Sequence, residues 1–197
     1  MGKVLRGIVK GAGVVALFCG IVVVDFLRKY ECKIGVFNVD TEFLSDTMYI
    51  YIVIHHTATD KPITLQQIED FHRSQSWGKN CGFAYHWYVT DSAIYQLHAD
   101  TAKTNHADNG WFNRRSISVC LAGNFEEREP SVRELKNLAY TVFWLQMRYN
   151  IPARRIFAHG DVSMENTACC GRYLREWIAA YKAAEGWINS NENNDTR

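Results

Sequence analysis

Three distant stretches of this chain carry side chains that ligate metals: His55-His56, His159 and Cys169-Cys170. One His of the first pair, His159 and one of the two cysteines make a ligand set of the His, His, Cys type. Three such ligands leave the fourth corner of a tetrahedral zinc ion to water, whose pKa the metal lowers towards about 7. That is the pattern of a catalytic site, because a structural site closes all four corners. Neighbouring residues of a strand point to opposite faces, so only one of His55 and His56 reaches a shared ion.

Each ligand needs an element to hold it. The β-rich run over residues 49–54 reads as a central strand, buried on both faces, that delivers His55-His56 at its end. Ile156-Phe157-Ala158 reads as a short strand ending at His159. Residues 85–90 and 93–97 flank the polar pair Asp91-Ser92 as a hairpin, and residues 116–122 form another apolar strand. Thr64 with Gln67 has the form of a capping box and opens a helix over residues 65–75. Pro130-Ser131 with Glu134 opens a second helix out to Tyr149, with Leu135, Leu138, Val142 and Leu145 on its buried face. A last helix over residues 173–185 turns Leu174, Trp177, Ile178 and Tyr181 inward. Strands alternating with helices predict an α/β fold, a mixed central β-sheet flanked by helices.

A length of 197 residues allows one ordinary domain and a short appendage. The net charge of +1 leaves no basic stripe for a phosphate backbone, which excludes nucleic acid as a partner. Six cysteines lack the dense regular spacing of a disulfide scaffold. At the start, Lys3, Arg6 and Lys10 precede an uncharged run over residues 11–24. As a helix that run spans about 21 Å, short of the roughly 30 Å hydrocarbon core, so crossing needs Ile8, Val9, Phe26 and Leu27 as well. No small-x-small cleavage pattern stands out. The expected organisation is a hydrophobic membrane helix over residues 1–28, a connector over 29–48, a catalytic domain over 49–186 and a polar tail over 187–197.

Four blocks sharpen the reading: Ile54-His55-His56-Thr57-Ala58-Thr59; Gly82-Phe83-Ala84-Tyr85-His86-Trp87; the segment from Asn113 through Ser116-Ile117-Ser118-Val119-Cys120 to Phe125; and Ala158-His159-Gly160-Asp161 through Thr167-Ala168-Cys169. In this order they resemble the phage-type N-acetylmuramoyl-L-alanine amidases and the related peptidoglycan recognition proteins. The resemblance covers residues 49–177. It implies zinc held by His55, His159 and Cys169, with His56 turned into the fold and Cys170 as the alternative thiol. It implies that Tyr85 is the catalytic tyrosine and that Thr167 stands where many phage members carry a helper Lys. His106, Asn113 and Arg115 match positions that bind or orient substrate. Cys170 replaces a common Pro, and Cys120 fills the position where another branch of the fold carries a catalytic Glu.

The activity implied is hydrolysis of the amide between MurNAc and L-Ala in bacterial peptidoglycan, by a monomer held at the cell envelope by its N-terminal segment. That segment also resembles the signal-arrest-release segments of some phage endolysins. A non-catalytic peptidoglycan receptor of the same fold is the alternative.

Overall fold

Tyr51–His56 forms strand β1, and its β-branched residues Ile52, Val53 and Ile54 are fully buried, as a central strand requires. The computed structural model describes residues 51–60, 63–75 and 82–192, with side chains through residue 184. The expected membrane helix over 1–28, the connector over 29–48 and the start of the predicted first strand lie outside them. Among the described residues no helix is long and apolar enough to cross a membrane.

After β1 come helix α1 (Leu65–Ser74), strands β2 (Trp87–Val89) and β3 (Ile94–Gln96), a 3-10 turn (Phe112–Arg114) and strand β4 (Ser116–Leu121). Helix α2 (Val132–Tyr149), strand β5 (Ile156–Ala158), the short helix α3 (His159–Val162) and the long helix α4 (Arg172–Glu192) complete the fold. The sheet order is β3-β2-β4-β1-β5, with β2, β4, β1 and β5 parallel and β3 antiparallel to β2. This is the mixed sheet flanked by helices that the sequence predicts.

Both predicted capping boxes form. Thr64 Oγ1 accepts from the Gln67 N–H, Ser131 Oγ accepts from the Glu134 N–H, and each Gln or Glu side chain answers the cap's own N–H. Each box satisfies two backbone donors that a helix start otherwise leaves open. Helix α2 stops at Asn150, which adopts the left-handed conformation (φ 51°) tolerated by Asn. Several boundaries differ from expectation: β1 runs on through His55 and His56, the hairpin strands are shorter than read, and two further ends have a local cause. The strand predicted to end at His159 ends at Ala158, where the Asp161 carboxylate accepts the Ala158 N–H and starts α3. Helix α4 continues past residue 185 into the expected tail, because residues 186–192 hold no Pro and their polar residues tolerate the helical backbone.

The sheet has two unlike faces. Ile52 and Ile54 on β1, with Ile117, Val119 and Leu121 on β4, pack against Leu138, Val142 and Leu145 of α2 and Leu174 and Ile178 of α4. Alternation places Tyr51, Val53 and His55, with Ser116, Ser118 and Cys120, on the other face. Residues 116–122, read as simply apolar, carry the polar Ser116 and Ser118 at alternate positions on that face.

Candidate metal centre

His55 is the penultimate residue of β1, and Ile54 is paired with Ala158 of β5. That register sets residue 159, the first after β5, beside residue 55 at the carboxyl ends of two parallel strands, where open α/β sheets bind ligands. The His55 and His159 rings lie 4.5 Å apart between centroids. Cys169 arrives on the loop between α3 and α4, and its Sγ lies 3.8 Å from His55 Nδ1.

Close backbone packing holds this loop. The Gly160 N–H donates to the Cys169 carbonyl at 2.6 Å. A Cβ on Gly160 would stand 2.5 Å from the Thr167 carbonyl oxygen and 2.9 Å from that of Cys169. Beyond the cysteines, Gly171 (φ +88°) passes the Phe125-Glu126 backbone, where a Cβ would meet the Glu126 nitrogen at 2.6 Å. Arg175 of α4 pairs with Asp161 of α3 and donates to the Cys169 carbonyl at 3.2 Å.

One ligand atom each from His55, His159 and Cys169 can be chosen so that all lie within 4.8 Å of one another. The 3.8 Å sulfur to nitrogen separation is close to the roughly 3.5 Å edge of a tetrahedron built with zinc bond lengths. Two further observations fit a cation. His159 Nε2 is, among the described residues, the buried side-chain nitrogen or oxygen with no hydrogen-bond partner. Asp108 Oδ2 stands 3.6 Å from it, beyond hydrogen-bond reach. Burial pushes the Cys169 thiol up to about 12, so a thiolate there requires a positive ion beside it. Burial, then the neighbouring imidazoles His159 and His106, pulls His55 well below its usual range and keeps it neutral, as a ligand must be. Burial likewise lowers His159. The residues present fit zinc.

The neighbouring thiol goes elsewhere. Cys170 is fully buried in the core with Phe125 and Leu174. His56 also faces inward, where its Nδ1 accepts the Phe125 N–H at 3.1 Å.

Tyr85 borders the ligands, its ring 5.0 Å from that of His55 and 5.1 Å from that of His72. Burial, then the Cys120 and Cys169 thiols, raises its hydroxyl well above the ordinary range. The hydroxyl therefore keeps its proton at neutral pH and is able to donate a hydrogen bond. The Thr167 hydroxyl accepts the Cys169 N–H at 3.2 Å and so shapes the ligand's own turn.

The three residues expected to meet substrate are placed differently. His106 is buried with both ring nitrogens engaged, Nδ1 by His55 Nε2 and Nε2 by Ser116 Oγ, each at 3.0 Å. Asn113 is buried too, and its Oδ1 accepts the His106 N–H at 3.1 Å and the Ala107 N–H at 2.8 Å. Both sit behind the ligands and do not present their polar atoms to a groove. Arg115 is exposed, with its guanidinium 5.0 Å above the Trp111 ring. Its carbonyl accepts the Tyr51 N–H, at the end of β1 opposite His55 and about 13 Å from it at roughly 3.3 Å per residue.

Sequence reasoning passed over His72 and His86. The Ala84 N–H donates to His72 Nδ1 at 3.1 Å, which sets the backbone just before Tyr85. The Ser118 N–H donates to His86 Nδ1 at 3.0 Å, and His86 Nε2 donates to the Ala102 carbonyl at 2.8 Å. The alternation of Ser116 and Ser118 with apolar residues was the signal available for a polar partner face.

Comparison with known proteins agrees with this architecture. The profile of the Amidase_2 family, N-acetylmuramoyl-L-alanine amidase, matches residues 46–172. No curated protein sequence matches. Among solved structures the chain is similar to the N-acetylmuramoyl-L-alanine amidase LysC from Clostridium intestinale URNW, at 29% identity over 68% of this chain and 85% of that one, with a TM-score of 0.58. It is similar in fold to Drosophila peptidoglycan recognition protein SD, at 21% identity over 64% of this chain and 76% of that one, TM-score 0.54. Human PGRP-IBETAC, solved in complex with glycosamyl muramyl pentapeptide, shares the fold at 18% identity over 67% of this chain and 82% of that one, TM-score 0.57. With fold and profile in agreement over most of the described residues, the chain belongs to the N-acetylmuramoyl-L-alanine amidase family.

Proposed function

We propose that this protein is a zinc-dependent amidase that hydrolyses the amide between MurNAc and L-Ala in bacterial peptidoglycan. The observation that carries the reading is the convergence of His55, His159 and Cys169 at one end of the sheet. Zinc, when bound, supplies a Lewis acid that activates water and polarises the amide carbonyl. The chain's own residues do the rest. His55, His159 and Cys169 hold the ion, and Tyr85, kept neutral by its surroundings, donates a hydrogen bond towards the charge that develops on the carbonyl oxygen. Thr167 holds the Cys169 turn and offers a hydroxyl where many relatives have a cation, so charge stabilisation rests more heavily on Tyr85.

Arg115 on exposed Trp111 offers a flat cationic platform for glycan or peptide at a distance from the scissile bond. The hydrophobic segment over residues 1–28 serves, in this reading, to keep the enzyme at the cell envelope, where its substrate lies. Incubating the protein with purified sacculi and measuring new amino termini tests the activity. Release of L-Ala amines supports an amidase, whereas sacculus binding with no amine release identifies a receptor. Substituting His55, His159 or Cys169 by Ala is expected to remove release while the circular dichroism spectrum persists.

A further inference from the structure

A chain of three hydrogen bonds leads from the ligand cluster into the sheet. His55 Nε2 meets His106 Nδ1 at 3.0 Å, His106 Nε2 meets Ser116 Oγ at 3.0 Å, and Ser116 Oγ meets the Phe112 carbonyl at 2.6 Å. Its direction is fixed from the far end. A carbonyl oxygen only accepts, so the Ser116 hydroxyl proton points to Phe112. Having used its one proton, Ser116 Oγ accepts from His106 Nε2–H. A neutral imidazole carries one ring proton, so His106 Nδ1 is a lone pair that accepts from His55 Nε2–H. His55 Nδ1 is then left without a proton, and Nδ1 is the atom that faces Cys169 Sγ.

We propose that His106 and Ser116 form a positioning relay that fixes the tautomer and ring orientation of His55, so that a lone pair and not an N–H faces the metal position. The proposal rests on the reading of His55 as a ligand. Metal-bound histidines generally give their second ring proton to such a partner, and its loss weakens metal binding by about 10- to 100-fold. Asn113 pins His106 and Ala107 by accepting their two N–H groups. It thereby steadies the segment that carries the relay, which accounts for burying two polar residues that the sequence suggested for substrate.

Two measurements test the relay. Long-range nitrogen-proton NMR spectra of the metal-free protein at neutral pH should show His55 with an unprotonated Nδ1 and a protonated Nε2. The Ser116→Ala variant, which touches none of the three ligands, should show His55 and His106 exchanging between tautomers. Zinc affinity, read by competition with a chromophoric chelator, should fall about 10- to 100-fold in His106→Leu. His106→Asn, whose side-chain oxygen replaces Nδ1 as acceptor, should recover most of that loss. A protonated Nδ1 on His55 in the wild type overturns the relay, as does unchanged zinc affinity in His106→Leu. Zinc binding without amidase activity sinks the proposed function but leaves the relay standing. If no zinc binds, the proposed centre fails, and the tautomers of the metal-free protein still decide the relay.

Discussion

The two faces of the central sheet are equally dry and differently built. On one, Ile52, Ile54, Ile117, Val119 and Leu121 bury apolar surface under α2 and α4. On the other, Ser116, Ser118, His55, His86 and His106 are buried at 4% exposure or less and are joined by directed hydrogen bonds. Apolar burial is non-directional and tolerates repacking, while each bond on the polar face needs a donor matched to an acceptor. The first face therefore stabilises the fold, and the second sets atoms in place for chemistry.

Breaking the comparison begins on the polar face. His159→Ala should lower amine release from sacculi by at least about 10³-fold, on the order of 4 kcal/mol of activation free energy, with little change in melting temperature. A melting temperature that falls along with activity would show that the polar face also carries the fold.

Acid should act through the polar groups as well. Burial lowers His72 and His86 from 6.5 to about 4. Their folded pKa lies below the unfolded one, so the unfolded chain binds more protons between about pH 6.5 and 4. Stability is then full above pH 6.5 and lost as pH falls through this window, by about 1.4 kcal/mol per pH unit for each group fully titrating. Denaturant unfolding at stepped pH measures the slope, and His72→Gln should flatten it.

On the apolar face, Leu138→Ala should cost about 3 kcal/mol by the cavity it leaves, while zinc binding per folded molecule is retained. Loss of zinc affinity in that variant would mean the two faces are coupled. The smallest effect belongs to the periphery. Ser131→Ala removes one half of the α2 capping box and should cost about 1 kcal/mol in a chemical melt.

What could be read from the sequence divides along the same line. The strand β1, both capping boxes and the buried stripe of α2 are local patterns, set by residues a few positions apart, and they form as read. The convergence of His55, His159 and Cys169 was legible because their motifs carry them. The partners were not. Nothing near His72 or His86 in sequence says that the N–H groups of Ala84 and Ser118 will reach them, and that is decided only by tertiary packing. The motif put His106 and Asn113 near the site without saying which way they face, and the fold turns both behind the ligands. The regular alternation in Ser116-Ile117-Ser118-Val119-Cys120 was the one overlooked local clue to a polar face.

The account stands on one ion shared by three side chains. Protein stripped with a chelator should hold no zinc and release no amine from sacculi, and titration with zinc should restore activity in proportion up to one ion per chain. Undiminished amide hydrolysis by the stripped protein would contradict it.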